Sequence, residues 1–191
     1  DLVSLRTAME RQNEQMCALQ SALENLVSGF PVEHAAKDKP DWGALALEDC
    51  WINTETGSHG YAKMIGDELV LLYCYGGDAG ATGAYRMIER MGDQFLGYFH
   101  WFEQQAISGY ALFRKLNADK MVGGWWFAEA VPEDIRANLQ QLSPEHPDMV
   151  PSTWTRHPKA PFAKWAKDWF KAAKTPGTPE AKALRRLLNT R

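Results

Sequence analysis

From about Asp49 to Ala130 the sequence alternates with a period of two, and turn residues interrupt it at short, even intervals. The breaks carry tight-turn chemistry: Thr56-Gly57-Ser58, Gly66-Asp67, Gly76-Gly77-Asp78, Gly92-Asp93 and Asn117-Ala118-Asp119. They delimit seven predicted strands: Cys50–Asn53, Gly60–Ile65, Glu68–Tyr75, Thr82–Met91, Gln94–Glu103, Ile107–Leu116 and Lys120–Ala128. A parallel crossover needs a dozen residues or more, so connections this short force antiparallel neighbours and leave no room for helices. Consecutive strands must also hide their edges, and curling into a barrel is the usual way.

Glycines recur beside aromatics from strand to strand: Gly83-Ala84-Tyr85, Gly97-Tyr98-Phe99, Gly109-Tyr110-Ala111 and Gly123-Gly124-Trp125-Trp126. Glycine weakens a strand unless it marks a bend, a bulge or a close approach, so this rhythm predicts tight coiling. In strand order and Gly-aromatic rhythm the stretch resembles the calycin-like meander barrels, lipocalins and avidins among them; the Gly-x-Trp opening strand of lipocalins is not part of the likeness. The resemblance implies a small-molecule site in the barrel mouth rather than a catalytic constellation.

Alternation sorts the later strands into two faces. One holds Phe95, Gly97, Phe99, Trp101, Gly109, Ala111, Phe113, Gly123, Trp125 and Phe127, large and small residues that are wholly apolar and read as packed core. The other holds Tyr98, His100, Phe102, Tyr110, Leu112, Arg114, Val122 and Trp126, joined by Arg86 and Arg90 from the preceding strand. Aromatic bodies mixed with cations and donors suit a ligand cavity, or an outer face covered by the N-terminal helix or a second subunit. As a cavity, Arg86, Tyr98, His100, Tyr110, Arg114 and Trp126 would be the binding residues. Guanidinium forks and aromatic faces would then select a small, partly aromatic anion, nucleotide-like in character.

The first 30 residues carry a different signal. Leu2, Leu5, Met9, Gln12, Met16, Leu19, Leu23 and Leu26 follow alternating steps of three and four, an unbroken heptad seam that ends at Gly29 and Pro31. Such a seam predicts a coiled-coil helix that makes the chain a homo-oligomer. The e and g positions carry almost no charge, so charge pairs do not choose the partner. The helix has no cap at residue 1, which suggests that it continues upstream.

Charge divides the chain as well. Residues 1–150 hold 11 Lys and Arg against 22 Asp and Glu, whereas residues 151–191 hold 10 against 2. A basic tail folded back on its own acidic body is the favoured reading; a partner or membrane comes next and nucleic acid last. Residues 132–191 are expected to form a short helix to about Leu142, an extended strap through Pro144, Pro147, Pro151, Pro158 and Pro161, and two basic helices. Phe162, Trp165, Trp169 and Phe170 share one face of the first basic helix among lysines. That is a membrane-surface pattern, but capping of an open barrel end is preferred because four large aromatics suit a preformed groove. The last helix should run from Pro179 to Leu188, starting at Thr178.

Catalytic signatures are weak. The Gly-rich run Tyr75–Gly83 lacks the Gly-Lys-Ser/Thr ending of a phosphate loop and precedes a strand, so it reads as a hairpin loop, with a lid over the mouth as its functional option. Cys50, His59, Cys74 and His100 match no metal-ligand spacing, a Cys74–His100 nucleophile pair has no supporting context, and no cofactor is expected. Three cysteines without a CxxC pair, no secretory signal and no apolar run of membrane-spanning length place the chain in the cytoplasm. The fold class expected is α+β: an N-terminal coiled-coil helix (1–30), a meander barrel (45–131) and C-terminal helices packed on the barrel (132–191). The expected role is a non-enzymatic ligand-binding or sensor domain; the alternative is an assembly protein whose aromatic face is a subunit interface.

Overall fold

The computed structural model describes residues 42–43, 48–104 and 107–189; the predicted coiled coil lies outside them. Eight strands close an antiparallel barrel in chain order. They are β1 (Cys50–Asn53), β2 (His59–Ile65), β3 (Glu68–Cys74), β4 (Gly83–Met91), β5 (Gln94–Trp101), β6 (Ser108–Asn117), β7 (Lys120–Phe127) and β8 (Val150–His157). The first seven coincide with the predicted strands to within two residues at each end.

The eighth was hidden in the proline-rich strap. It pairs with β7 from Lys120↔Thr155 to Trp125↔Val150 and with β1 from Cys50↔His157 to Asn53↔Trp154, so it is the strand that closes the barrel. Pro151 is its second residue and Pro158 follows its last, positions at strand ends where a missing N–H is tolerated. The barrel therefore draws its closing strand from residues 132–191, beyond the expected barrel boundary at residue 131.

The wholly apolar face points inward. Trp51, Leu69, Leu71, Tyr73, Tyr85, Met87, Phe95, Phe99, Phe113, Met121 and Trp154 form one interior cluster, each at most 6 % exposed. Burying each large side chain contributes roughly 1.5–3 kcal/mol, so this cluster dominates the stability of the barrel. Glycine makes the coiling possible. A Cβ on Gly109 would lie 2.0 Å from the Trp126 carbonyl oxygen and 2.5 Å from the Phe99 ring, and one on Gly123 would lie 1.8 Å from the Leu112 carbonyl oxygen. These approaches let strands cross closely while the Phe99 ring occupies the space a side chain would take.

The mixed face points outward and is covered by the chain itself. Phe162 and the helices α2 (Lys164–Ala172) and α3 (Pro179–Leu188), through Ala166, Trp169, Phe170, Leu184 and Leu187, cover Cys50, Tyr61, Val70, Leu72 and Ala84. The expectation that α2 caps a barrel end is thus corrected: it packs on the side of the barrel, where strands β1 to β4 offer a broad apolar groove. Helix α3 starts as expected, with the Thr178 Oγ1 accepting from the Ala181 N–H at 3.1 Å and Pro179 in its first turn. Farther round, the segment carrying the short helix α1 (Glu133–Ala137) brings Val131, Leu139 and Met149 against Leu96, Tyr98, Leu112 and Trp126. The basic tail does fold back on the body, but chiefly through apolar faces. Among the described residues no helix is long and apolar enough to cross a membrane.

Candidate ligand-binding site

The two barrel ends differ. One is plugged: Trp42 packs against Phe95 in a tilted arrangement with ring centroids 5.5 Å apart, and Arg156 bridges Asp49 (Nε–Oδ2 2.7 Å) and Asp119 (Nη1–Oδ1 3.1 Å). The other, where β1, β3, β5 and β7 end, holds a cup of ≈ 100 Å³. Its floor is Tyr73, Tyr85, Phe99 and Trp154, all buried. Its upper wall is Trp101, Trp125, Phe127, Tyr75 and Val150. The rings pack largely edge to face: Tyr85 on Phe99 at 5.5 Å and 61°, Phe99 on Trp125 at 5.9 Å and 89°, Trp125 on Phe127 at 4.8 Å and 75°. Four large apolar side chains are exposed among the described residues, and three of them, Tyr75 (51 %), Val150 (46 %) and Phe127 (37 %), rim this cup. A clustered apolar rim above an apolar floor is what a binding surface looks like, whereas scattered exposed residues mean nothing.

One side of the cup is polar. The Asn53 Nδ2 donates to the Ser152 Oγ at 3.0 Å, the Trp154 Nε1 donates to the same oxygen at 3.1 Å, and the Asn53 Oδ1 accepts from the Thr56 N–H at 2.9 Å and Oγ1 at 2.7 Å. The Ser58 Oγ accepts from the Gly76 N–H at 2.9 Å. These groups hold the β1–β2 turn and the start of β8 together. Glu55 stands at the edge, its Oε2 accepting from the Thr153 N–H at 2.7 Å. Burial acts to raise the Glu55 pKa, but the hydrogen bonds from Thr153 and the turn outweigh it, and the net shift is downward.

The residues expected to bind an anion lie elsewhere. Arg86 forks onto Glu68 (Nε–Oε2 2.9 Å, Nη2–Oε1 3.0 Å) and donates through Nη1 to the Leu188 carbonyl at 3.0 Å, tying α3 to the wall. Arg114 pairs with Glu145. Tyr98 and Tyr110 meet edge to face at 5.1 Å, and Trp126 packs against His146 at 5.6 Å. His100 is outward on β5, opposite Ala84, and burial followed by the nearby Arg186 charge lowers its pKa. Arg90 lies on β4, and its side chain is outside the described atoms. The structure therefore places Arg86, Tyr98, His100, Tyr110, Arg114 and Trp126 on the outer wall rather than in a cavity inside the barrel. In a closed barrel only one of two alternating faces can line the interior, and bulk assigns it to the apolar one.

A second constellation sits on the outer wall beside α2. The Cys50 Sγ lies 3.8 Å from the His59 Nδ1, and that same nitrogen lies 3.6 Å from the Asp78 Oδ2. A nucleophile relay needs the nucleophile and the orienting carboxylate on different ring nitrogens of the base, and here the Cys50 thiol and the Asp78 carboxylate both reach the His59 Nδ1. Burial also pushes the Cys50 thiol pKa up, which opposes thiolate formation. Asp78 has a structural task instead: its Oδ1 accepts from the Tyr61 O–H and from the Trp165 N–H, both at 2.9 Å. These bonds pin the Gly-rich loop at Asp78 to β2 and α2, against the outer wall, while Tyr75 at the start of the run stays on the rim of the mouth. The Cys74 Sγ accepts from the Ala79 N–H at 3.2 Å within that loop. Among the described residues no group of three His, Cys, Asp or Glu side chains could hold a metal ion.

Compared with known proteins, the chain matches no family model, no curated protein and no solved structure. The cup thus rests on its own geometry. Alternation along the sequence places four of the eight cup aromatics, Phe99, Trp101, Trp125 and Phe127, in the apolar set and misses the polar side, because Glu55 lies in a turn and Ser152 in the strand hidden among prolines. The one available signal was the run of Asn53, Thr54, Glu55, Thr56 and Ser58 at a hairpin next to Trp51.

Proposed function

We propose that this chain is a non-enzymatic ligand-binding barrel whose site is the open mouth, with the heptad segment serving to join copies of the chain. The observation that carries the reading is the exposed rim of Tyr75, Phe127 and Val150 over a buried aromatic floor. Exposing such side chains is unfavourable unless something covers them, and a cup walled by rings suits a small apolar or planar group. The arginines that suggested an anion are engaged on the outer wall, so the chemistry of the ligand follows from the mouth's own lining. At ≈ 100 Å³ the cup is smaller than the roughly 150 Å³ apolar cavity that accepts benzene, so a ligand would seat one compact group and extend outward past the rim.

The test is chemical-shift mapping with indole on the full chain. Saturable shifts confined to Ser58, Tyr75, Trp101, Trp125, Phe127 and Ser152 are expected, and the double variant Tyr75→Ser, Phe127→Ser should abolish them while changing stability by no more than about 0.5 kcal/mol. Shifts scattered over the outer wall, or none at all, would overturn the reading.

A further inference from the structure

The lining of the mouth names a ligand class, an inference that rests on the reading above. Recognition of an anion needs cations or unengaged donors. Among the described residues lining the cup there is no Lys, Arg or His. On the polar side the Asn53 amide and the Trp154 indole N–H both donate to the Ser152 Oγ, and the Thr56 hydroxyl donates to the Asn53 Oδ1. Eight aromatic rings make up most of the wall, and the formal charge on the rim is the carboxylate of Glu55. The Thr153 N–H grips one of its oxygens, which fixes the carboxylate at the cup edge. Ring faces carry negative quadrupole potential, and a carboxylate adds to it; together they attract a cation too bulky and too weakly hydrated to prefer water.

From these features we infer that the mouth binds a small molecule through a methylated ammonium head, with the alkyl groups against the rings and the positive charge facing Glu55. A trimethylammonium group is compact enough for a cup of this size, and it needs no hydrogen-bond donor from the protein. The donors engaged on the polar side are therefore no obstacle.

The experiment is calorimetric titration of the full chain with choline and with 3,3-dimethylbutan-1-ol, which has the same shape and no charge. Choline is expected to bind at least about tenfold more tightly than the alcohol, in line with a desolvated cation–π contact. Glu55→Gln keeps an acceptor for the Thr153 N–H but removes the charge; it should weaken choline about fivefold and leave the alcohol unchanged. Trp125→Ala should weaken both. If the alcohol binds as well as choline, or if Glu55→Gln leaves choline untouched, the inference about charge falls while the mouth remains a binding site. If neither compound binds and indole also leaves the mouth resonances unshifted, the inference and the reading beneath it fall together.

Discussion

The plugged end and the open end of this barrel are built on the same strands and solve opposite problems. At the plugged end Arg156 turns to the inward register beside Trp51, and its charge is met by Asp49 and Asp119. The Arg156 and Asp49 side chains are 15 % and 17 % exposed, so the pair is largely removed from water and adequately compensated. At the open end the equivalent space is walled by rings and a short polar network that is satisfied internally. One end is sealed by pairing charge. The other leaves apolar surface exposed, and nothing within the described chain covers it. The proposed mouth site rests on that contrast, because a fold that can plug one end with a tryptophan and an ion pair is not prevented from plugging both.

The contrast is most severely tested at the floor of the cup. Trp154→Ala should cost about 3–5 kcal/mol, the usual range for removing a buried tryptophan, and should deepen the cup into the barrel. Addition of indole should restore part of the lost melting temperature; a variant that melts lower yet gains nothing from indole would break the idea that the floor separates the mouth from the core. Next in size is Arg156→Ala at the plugged end. It leaves the Asp49 carboxylate short of its partner and should cost about 3 kcal/mol in denaturant unfolding, with indole binding at the mouth unchanged. A loss of mouth binding in that variant would show that the two ends are coupled.

The smallest effect concerns acid. The folded-state pKa of Glu55 is lowered, so its hydrogen bonds contribute stability above its ordinary value near 4.5, and that contribution is lost as pH falls through the lowered value. Arg156 shifts upward, first through its hydrogen bond to Asp49, and stays charged over the same range. Acid unfolding of Glu55→Gln should therefore fall less steeply below pH 4.5 than that of the parent chain, whereas an identical slope would mean that the Thr153 bond does not hold the carboxylate ionised.

Much of the barrel was legible from short-range chemistry. Turns such as Gly66-Asp67 and Gly92-Asp93 act over two residues, and both glycines adopt the left-handed conformation that the turns require, at φ 62° and 56°. The strand β8 was not legible, since Pro147, Pro151 and Pro158 mask an alternation of Val150, Ser152 and Trp154 that only pairing with β7 and β1 reveals. Half of the candidate site was hidden for the same reason. Ser152 and Trp154 come from that strand, and Asn53 and Glu55 join them only when β1 lies beside it.

What the sequence by itself determined is local and periodic: seven strands, their order, their antiparallel sense and the division of side chains into two faces, because pleat and turn geometry are properties of a few adjacent residues. What only the tertiary structure decided is which face is concave, what covers the other, and which end stays open. Those outcomes depend on α2, α3 and β8 returning from far downstream of β1, β8 itself beginning at Val150, to bury Cys50, Tyr61 and Leu72 and to close the ring. A period of two distinguishes the faces of a sheet but is symmetric between them, and contacts made at long range break that symmetry.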